Sequence, residues 1–315
     1  MFKETPPRQK VNHDYLSEAE EKAFELIVAE QDKKAIQMDD FEKVPGYGSA
    51  RIQHDKERIA KKKTDIHEMG TEPAKTAKLL EAILTEQIEL SNWFGDNTYT
   101  TIPSEYDDFF HGVDLALQIK DEEQEVKHLA MGIDVTTSPM YIRKKLGIIK
   151  THIQDGTLTM IEYFHSDDYD PDFYGAMMNI PQVIIGAERK TIQELSDLWM
   201  TGYGRAKLRK KTAQPALSPE VETSQRAQAK EAKKKLGNHR IQIILLEEIK
   251  MQLSVFNKFA LRSGQGQAAE KFTSVLGVIE LILKGKEIDG WDAYINSSDS
   301  VFKALEEALN DFDNL

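Results

Sequence analysis

Cysteine is absent from this 315-residue chain, which excludes disulfides, thiolate metal ligands and a thiol nucleophile. Long apolar runs are missing as well. No stretch approaches the roughly 20 residues that cross a bilayer. The opening residues, Met-Phe-Lys-Glu-Thr-Pro-Pro-Arg, lack the apolar core of a secretory leader. Positive charge is in deficit. The net charge of −12 argues against a surface that coats nucleic acid uniformly, but leaves room for a local basic groove. The chain also has no Gly-rich phosphate loop, no nucleophile elbow and no His-Glu-x-x-His helix. These absences predict a soluble, cytoplasmic protein that does not engage a membrane. The 40% hydrophobic content is ample for a real core.

What is present reads mostly as helix around a short run of strands. Ser17 followed by Glu20 is a capping box that opens a helix with Phe24, Ile27 and Val28 on its apolar stripe. Pro45-Gly46-Tyr47-Gly48 ends that region. Residues 50–66 are highly charged, include Lys61-Lys62-Lys63, and read as an exposed helix or a linker. A strongly amphipathic helix is expected over 71–94, with Leu79, Leu80, Ile83, Leu84, Ile88, Leu90 and Phe94 on one arc. Glu86 projects into the flank of that arc, Glu89 points away, and Glu81 sits at the opposite edge. A short strand is expected over 98–102.

Two apolar runs follow, 113–119 and 129–135, separated by a charged turn, and each carries one acid, Asp114 and Asp134. As an antiparallel hairpin they bring those two acids to the same end. Two carboxylates close together on a buried sheet repel, and desolvation adds to the cost. A divalent cation is one remedy; pairing with Lys, or capping of the strand ends, is the other. Asp107-Asp108 read as turn residues rather than as support for such a site. His111 and His165 lack a second His at ligand spacing. The acidic loop expected over 165–179 lacks the Gly and the closing Glu of a calcium loop.

After the hairpin, Ser138-Pro139 starts a helix with Ile142, Leu146, Ile149 and Ile153 as its stripe and with Lys145 and Lys150 flanking it. Strands over 158–164 and 181–186 and a helix over 191–200 complete one α/β core. Residues 203–235 are basic and predict a flexible or marginally helical connector. Residues 241–256 and 272–282 make an antiparallel helical hairpin, and a last amphipathic helix lies near 301–309.

A helix with an embedded Glu, a strand bearing Asp, a strand bearing an acid, then a helix and another strand resembles the PD-(D/E)XK nuclease superfamily. The resemblance covers about 115 residues and implies a restriction-endonuclease-like mixed sheet flanked by helices, here with added N-terminal helices and the C-terminal hairpin. It divides the chain into an N-terminal arm with charged helices (1–70), the core (71–200), a basic linker (201–238) and the helical hairpin with an acidic tail (239–315). It implies Asp114, Asp134 and Glu86 as ligands of Mg²⁺ or Mn²⁺, and hydrolysis of nucleic acid, DNA rather than RNA, with a homodimer through the helical regions as a further expectation. The family places a Lys two residues after the second acid. Here Thr136 stands there, on the same strand face as Asp134, and Lys145 is favoured over Lys150 as the replacement. The other reading is a catalytically inactive member that binds a nucleic acid or a protein.

Overall fold

The computed structural model describes residues 16–69, 75–120, 128–166, 170–213, 218–286 and 299–315. The loose N-terminal arm, the charged turn of the hairpin, Asp167 and Asp168 of the acidic loop, and the start of the acidic tail were sequence expectations that lie outside these residues.

The first helix, α1 (Glu18–Gln31), begins at the expected capping box: the Ser17 N–H donates to Glu20 Oε2 at 2.7 Å and the Glu20 N–H to Ser17 Oγ at 3.3 Å. Helix α2 (Gly48–Met69) follows, then α3 (Lys75–Ser91). Strand β1 (Thr98–Thr101), helix α4 (Glu105–His111), and strands β2 (Leu115–Lys120) and β3 (His128–Thr136) come next. Helix α5 (Ile142–Gln154) carries the chain to the hairpin β4 (Thr159–Ser166) and β5 (Asp170–Ile180), and Pro181 leads into β6 (Gln182–Gly186).

Strands β1, β2, β3 and β6 form one sheet in that order. The first two pairings are antiparallel and the last is parallel. A parallel neighbour requires a crossover, and α5 begins it. Alternation along the strands gives the sheet two different faces. Leu115, Leu117, Ile119, Met131, Ile133 and Val135 join the main core with α3, α5 and the C-terminal helices. Ala116 and Ala130 face the other way, where Ile161, Phe164 and Ile180 of the β4–β5 hairpin cover them. The α5 stripe is buried as expected, at Ile142, Leu146, Ile149 and Ile153.

Helix α6 (Arg189–Trp199) runs through a π-helical turn (Met200–Gly204) into α7 (Arg205–Lys211). Helix α8 (Pro219–Gly237), the pair α9 (Ile241–Arg262) and α10 (Gly266–Gly285), and α11 (Ser300–Asn310) follow. Helix α9 covers the outer edge of β6 with side chains. Gln252 accepts from the Ile184 N–H at 2.8 Å and donates to the Ile184 carbonyl at 2.6 Å, and Glu248 accepts from the Gly186 N–H at 2.9 Å. The backbone edge that would otherwise be orphaned is thus satisfied. Gly186 itself is required by close packing, since a Cβ there would lie 2.1 Å from the Thr136 carbonyl oxygen.

Three stretches differ from the sequence reading. The expected loop over 165–179 is largely strand β5, held by the His165–Tyr174 cross-strand pair whose rings stack at 3.9 Å. The expected connector, including the linker at 201–238, holds α7 and α8. Helix α8 has Ser218 as N-cap and Pro219 in its first turn. It is built of strong helix formers and buries only Ala232 and Leu236, so propensity rather than an apolar stripe sustains it. Asp107 and Asp108 lie in helix α4 rather than in a simple turn.

Candidate active site

The acids of the central hairpin meet at one end of the sheet. The β2–β3 register pairs Leu115 with Ile133, and one step further along the same ladder sets Asp114 against Asp134. Helix α4 delivers Asp114 to that place. Ser104 caps it, and Gly112 ends it in the left-handed conformation, φ 64°. Gln182 then donates to the carbonyls of His111 and Gly112, at 3.2 and 2.7 Å, and fixes the turn. The Asp114 N–H donates to the Ile133 carbonyl at 2.8 Å, and its Oδ2 accepts from the Val135 N–H at 2.7 Å. The Asp114 carboxylate therefore continues the ladder where the β2 backbone has stopped.

Asp134 is buried and paired with the Lys145 ammonium from α5. Burial pushes both aspartates up. Asp114 stands well above the usual range, raised further by Glu81, Asp134 and Asp108. Asp134 is raised less, because Lys145 counters its burial.

The helical acid whose charge acts on this pair is Glu81 rather than the expected Glu86. Burial raises Glu81 to about 7, against the pull of Lys78 and with Asp108 and Asp134 adding to it. Lys78 lies 3.9 Å from Glu81 and 3.4 Å from Asp108. Burial works against its charge, but Glu81, Asp108 and Asp114 hold its pKa above the ordinary lysine value. Glu86 points elsewhere: it accepts from the Trp199 indole N–H and lies 3.5 Å from Lys207. Helix α3 explains the exchange. It is buried over most of its circumference, including Thr76, Thr85 and Gln87, so both edges of its stripe are interior. Which edge faces the acids is decided by where β3 and α5 lie, and helical periodicity does not contain that information. One signal was present in the sequence: Lys78 and Glu81 are spaced i, i+3, an acid with its own counter-charge on one helical face.

Thr136 shares its strand face with Asp134, but its hydroxyl is engaged with the backbone of Ser138, as donor to the carbonyl and acceptor from the N–H, each at 3.3 Å. Lys150 is directed to the chain end, donating to the carbonyls of Asp313 and Leu315 at 2.7 and 3.0 Å. Of the two flanking lysines, the structure brings Lys145 to the acids and takes Lys150 away.

Asp107 has a different task. Fully buried, it accepts from the Ser104 hydroxyl at 2.7 Å and from the N–H groups of Glu162 and Tyr163 at 2.6 and 3.2 Å, and it meets His111 Nδ1 at 2.8 Å. It locks α4 to β4 and so holds the turn that carries Asp114.

Among the described residues, no three His, Asp or Glu side chains already converge as a metal-ligand set. Two lysines compensate the carboxylates instead. The donors present are all hard oxygens. Compared with protein-family models, with curated proteins and with solved structures, the chain finds no match.

Proposed function

We propose that this protein is a divalent-metal-dependent nuclease with a PD-(D/E)XK-type centre formed by Glu81, Asp114 and Asp134, in which Lys145 takes the place of the missing motif lysine. The observation that carries the reading is the arrangement of Asp134, which stands opposite Asp114 at the end of the β2–β3 ladder and is paired with the Lys145 ammonium. The order of α3, β1, β2, β3, α5 and β6, with its two antiparallel pairings and one parallel pairing, supports the restriction-endonuclease-like reading of the fold.

Asp114 and Asp134 would hold Mg²⁺ or Mn²⁺, with Glu81 facing them. Such an ion polarises a phosphodiester and lowers the pKa of bound water. Lys145, fixed by Asp134, orients the attacking water and offsets charge developing on the phosphate. Glu81, with its pKa near 7, is suited to accept a proton from that water. Lys78 neutralises charge on the same side of the centre.

A second reading, an inactive nuclease fold that binds nucleic acid or protein, is favoured by Thr136, whose hydroxyl carries no charge and is occupied by Ser138. Cleavage decides between the two. Labelled single- and double-stranded DNA and RNA are incubated with Mg²⁺ or Mn²⁺ and the wild-type or Asp134→Ala protein. Cutting that needs both metal and Asp134 is expected. No cutting of any substrate would leave the binding reading.

A further inference from the structure

Helix α2 is set beside the carboxylate centre, and a cleft of about 310 Å³ lies between it and α4. Lys63, Ile66 and Phe109 line one part of it; Lys78, Asp108 and Glu105 line another. Lys78 also lies 3.9 Å from Glu81, so the wall of the cleft borders the acid cluster. The Lys63 ammonium stands 5.9 Å from the centre of the Phe109 ring and 2.6 Å from Glu105. That ion pair is half exposed on both sides, so exchanging Glu105 for another anion costs little. Lys61 and Lys62 precede it on the exposed side of α2 and make no ion pair among the described residues. The helix is fastened from beneath: Tyr163 donates to the buried Asp55 at 2.7 Å, and Arg58 bonds Asp55 and Tyr106.

A cleft with an aromatic ring and two lysines in its lining and a carboxylate centre beside it has the features of a site for single-stranded nucleic acid. Its volume is on the scale of one nucleotide. We propose that this cleft takes one unpaired nucleotide of the strand being cut, with its base against Phe109, its phosphates on Lys63 and Lys78, and the outgoing backbone on Lys61 and Lys62. The inference rests on the nucleic-acid reading of the carboxylate centre and narrows its substrate to a single strand or a frayed end.

The test is fluorescence anisotropy of a labelled 12-nucleotide single strand and of the matching blunt duplex, with Ca²⁺ in place of Mg²⁺, run alongside Mg²⁺-dependent cleavage of both. The single strand is expected to bind more tightly. The double variant Lys61→Gln/Lys62→Gln is expected to weaken single-strand binding and to lower the slope of log K against log salt by about 1.4, roughly 0.7 for each phosphate no longer neutralised. Phe109→Leu is expected to weaken binding about 5- to 100-fold with the salt slope unchanged, the scale of losing one stacked base. The control Lys234→Gln/Lys235→Gln removes the same charge from α8 and is expected to bind as wild type. Metal-dependent cutting with no loss in the α2 variants, or equal loss in the α8 control, overturns the cleft and leaves the nuclease reading standing. Binding that follows the expected pattern without cutting overturns the nuclease and leaves the cleft. Absence of both binding and cutting overturns both.

Discussion

At the scale of single residues, the two glutamates of α3 make opposite predictions. Glu81 faces Asp114 and Asp134, whereas Glu86 serves Trp199 and Lys207. Glu81→Gln is therefore expected to lower metal-dependent cleavage at least about 100-fold, the scale of losing a positioned acid–base group. Glu86→Gln should leave cleavage near wild type and act, if at all, on thermal stability. Equal activity in the two variants would remove Glu81 from the centre. Glu248 supplies a second test, on stability. Burial, with Asp299 adding to it, raises its pKa well above the usual carboxylate value, only partly offset by the Gly186 N–H, and its Oε1 has no hydrogen-bond partner among the described residues. A pKa raised by folding gives stability that is complete below the unfolded value and is lost as pH rises through the folded one. Between the two values the loss is about 1.4 kcal/mol per pH unit from this group. Glu248→Gln keeps an acceptor for Gly186 and does not titrate. Its melting temperature, followed from pH 5 to 9, is expected to fall less steeply than that of the wild type; a parallel fall would show that Glu248 is ionised in the native state at little cost.

At the scale of elements, what the sequence revealed was whatever local pattern controls. The capping box of α1, the four-residue stripe of α5 and the acid-bearing strand β3 appear where their periodicities place them, while β2 begins at Leu115, one residue after Asp114. Strand β5 did not show in advance and helix α8 showed only as one of two alternatives, a flexible or a marginally helical connector, for opposite reasons. The acids and aromatics of 170–174 mask a strand whose pairing partner, β4, defines it, and α8 has propensity but almost no buried face. The shielding of β6 was equally invisible, because Gln252 and Glu248 look like ordinary polar positions on an apolar helix. Gln252→Leu removes the partners of both the Ile184 N–H and its carbonyl. Each stranded buried group costs about 1–3 kcal/mol, so urea unfolding should show a loss of roughly 2–6 kcal/mol with an unchanged slope, together with faster exchange of the Ile184 amide. A loss well below that range would mean that water replaces the glutamine at this edge.

At the scale of the whole molecule, the sequence suggested a nuclease-like core at 71–200 with appendages, and the packing argues that these parts depend on one another. One buried cluster includes Leu26 and Ile27 of α1, the sheet, α5, and Leu245, Ile249, Leu253 and Phe256 of α9. Glu20 of α1 is wholly buried and clamps Arg189 at the start of α6. Trp93, directly after α3, donates its indole N–H to the Gly237 carbonyl at 3.2 Å, and Lys150 of α5 holds the last residues. A fragment spanning 71–200 would expose the apolar surface that α9 and α11 cover and would leave the Ile184 and Gly186 edge bare. Burial of several large side chains at about 1.5–3 kcal/mol each is then missing, against a typical total stability of about 5–15 kcal/mol. The isolated fragment is expected to lack a cooperative unfolding transition by circular dichroism. In the full chain, Trp93 sits at the junction between the core and α8. Tryptophan fluorescence and circular dichroism should therefore report one coincident transition in urea. Two separated transitions, or a fragment that unfolds cooperatively by itself, would show that residues 71–200 are an autonomous domain and that the helices around them contribute to their surroundings rather than to their folding.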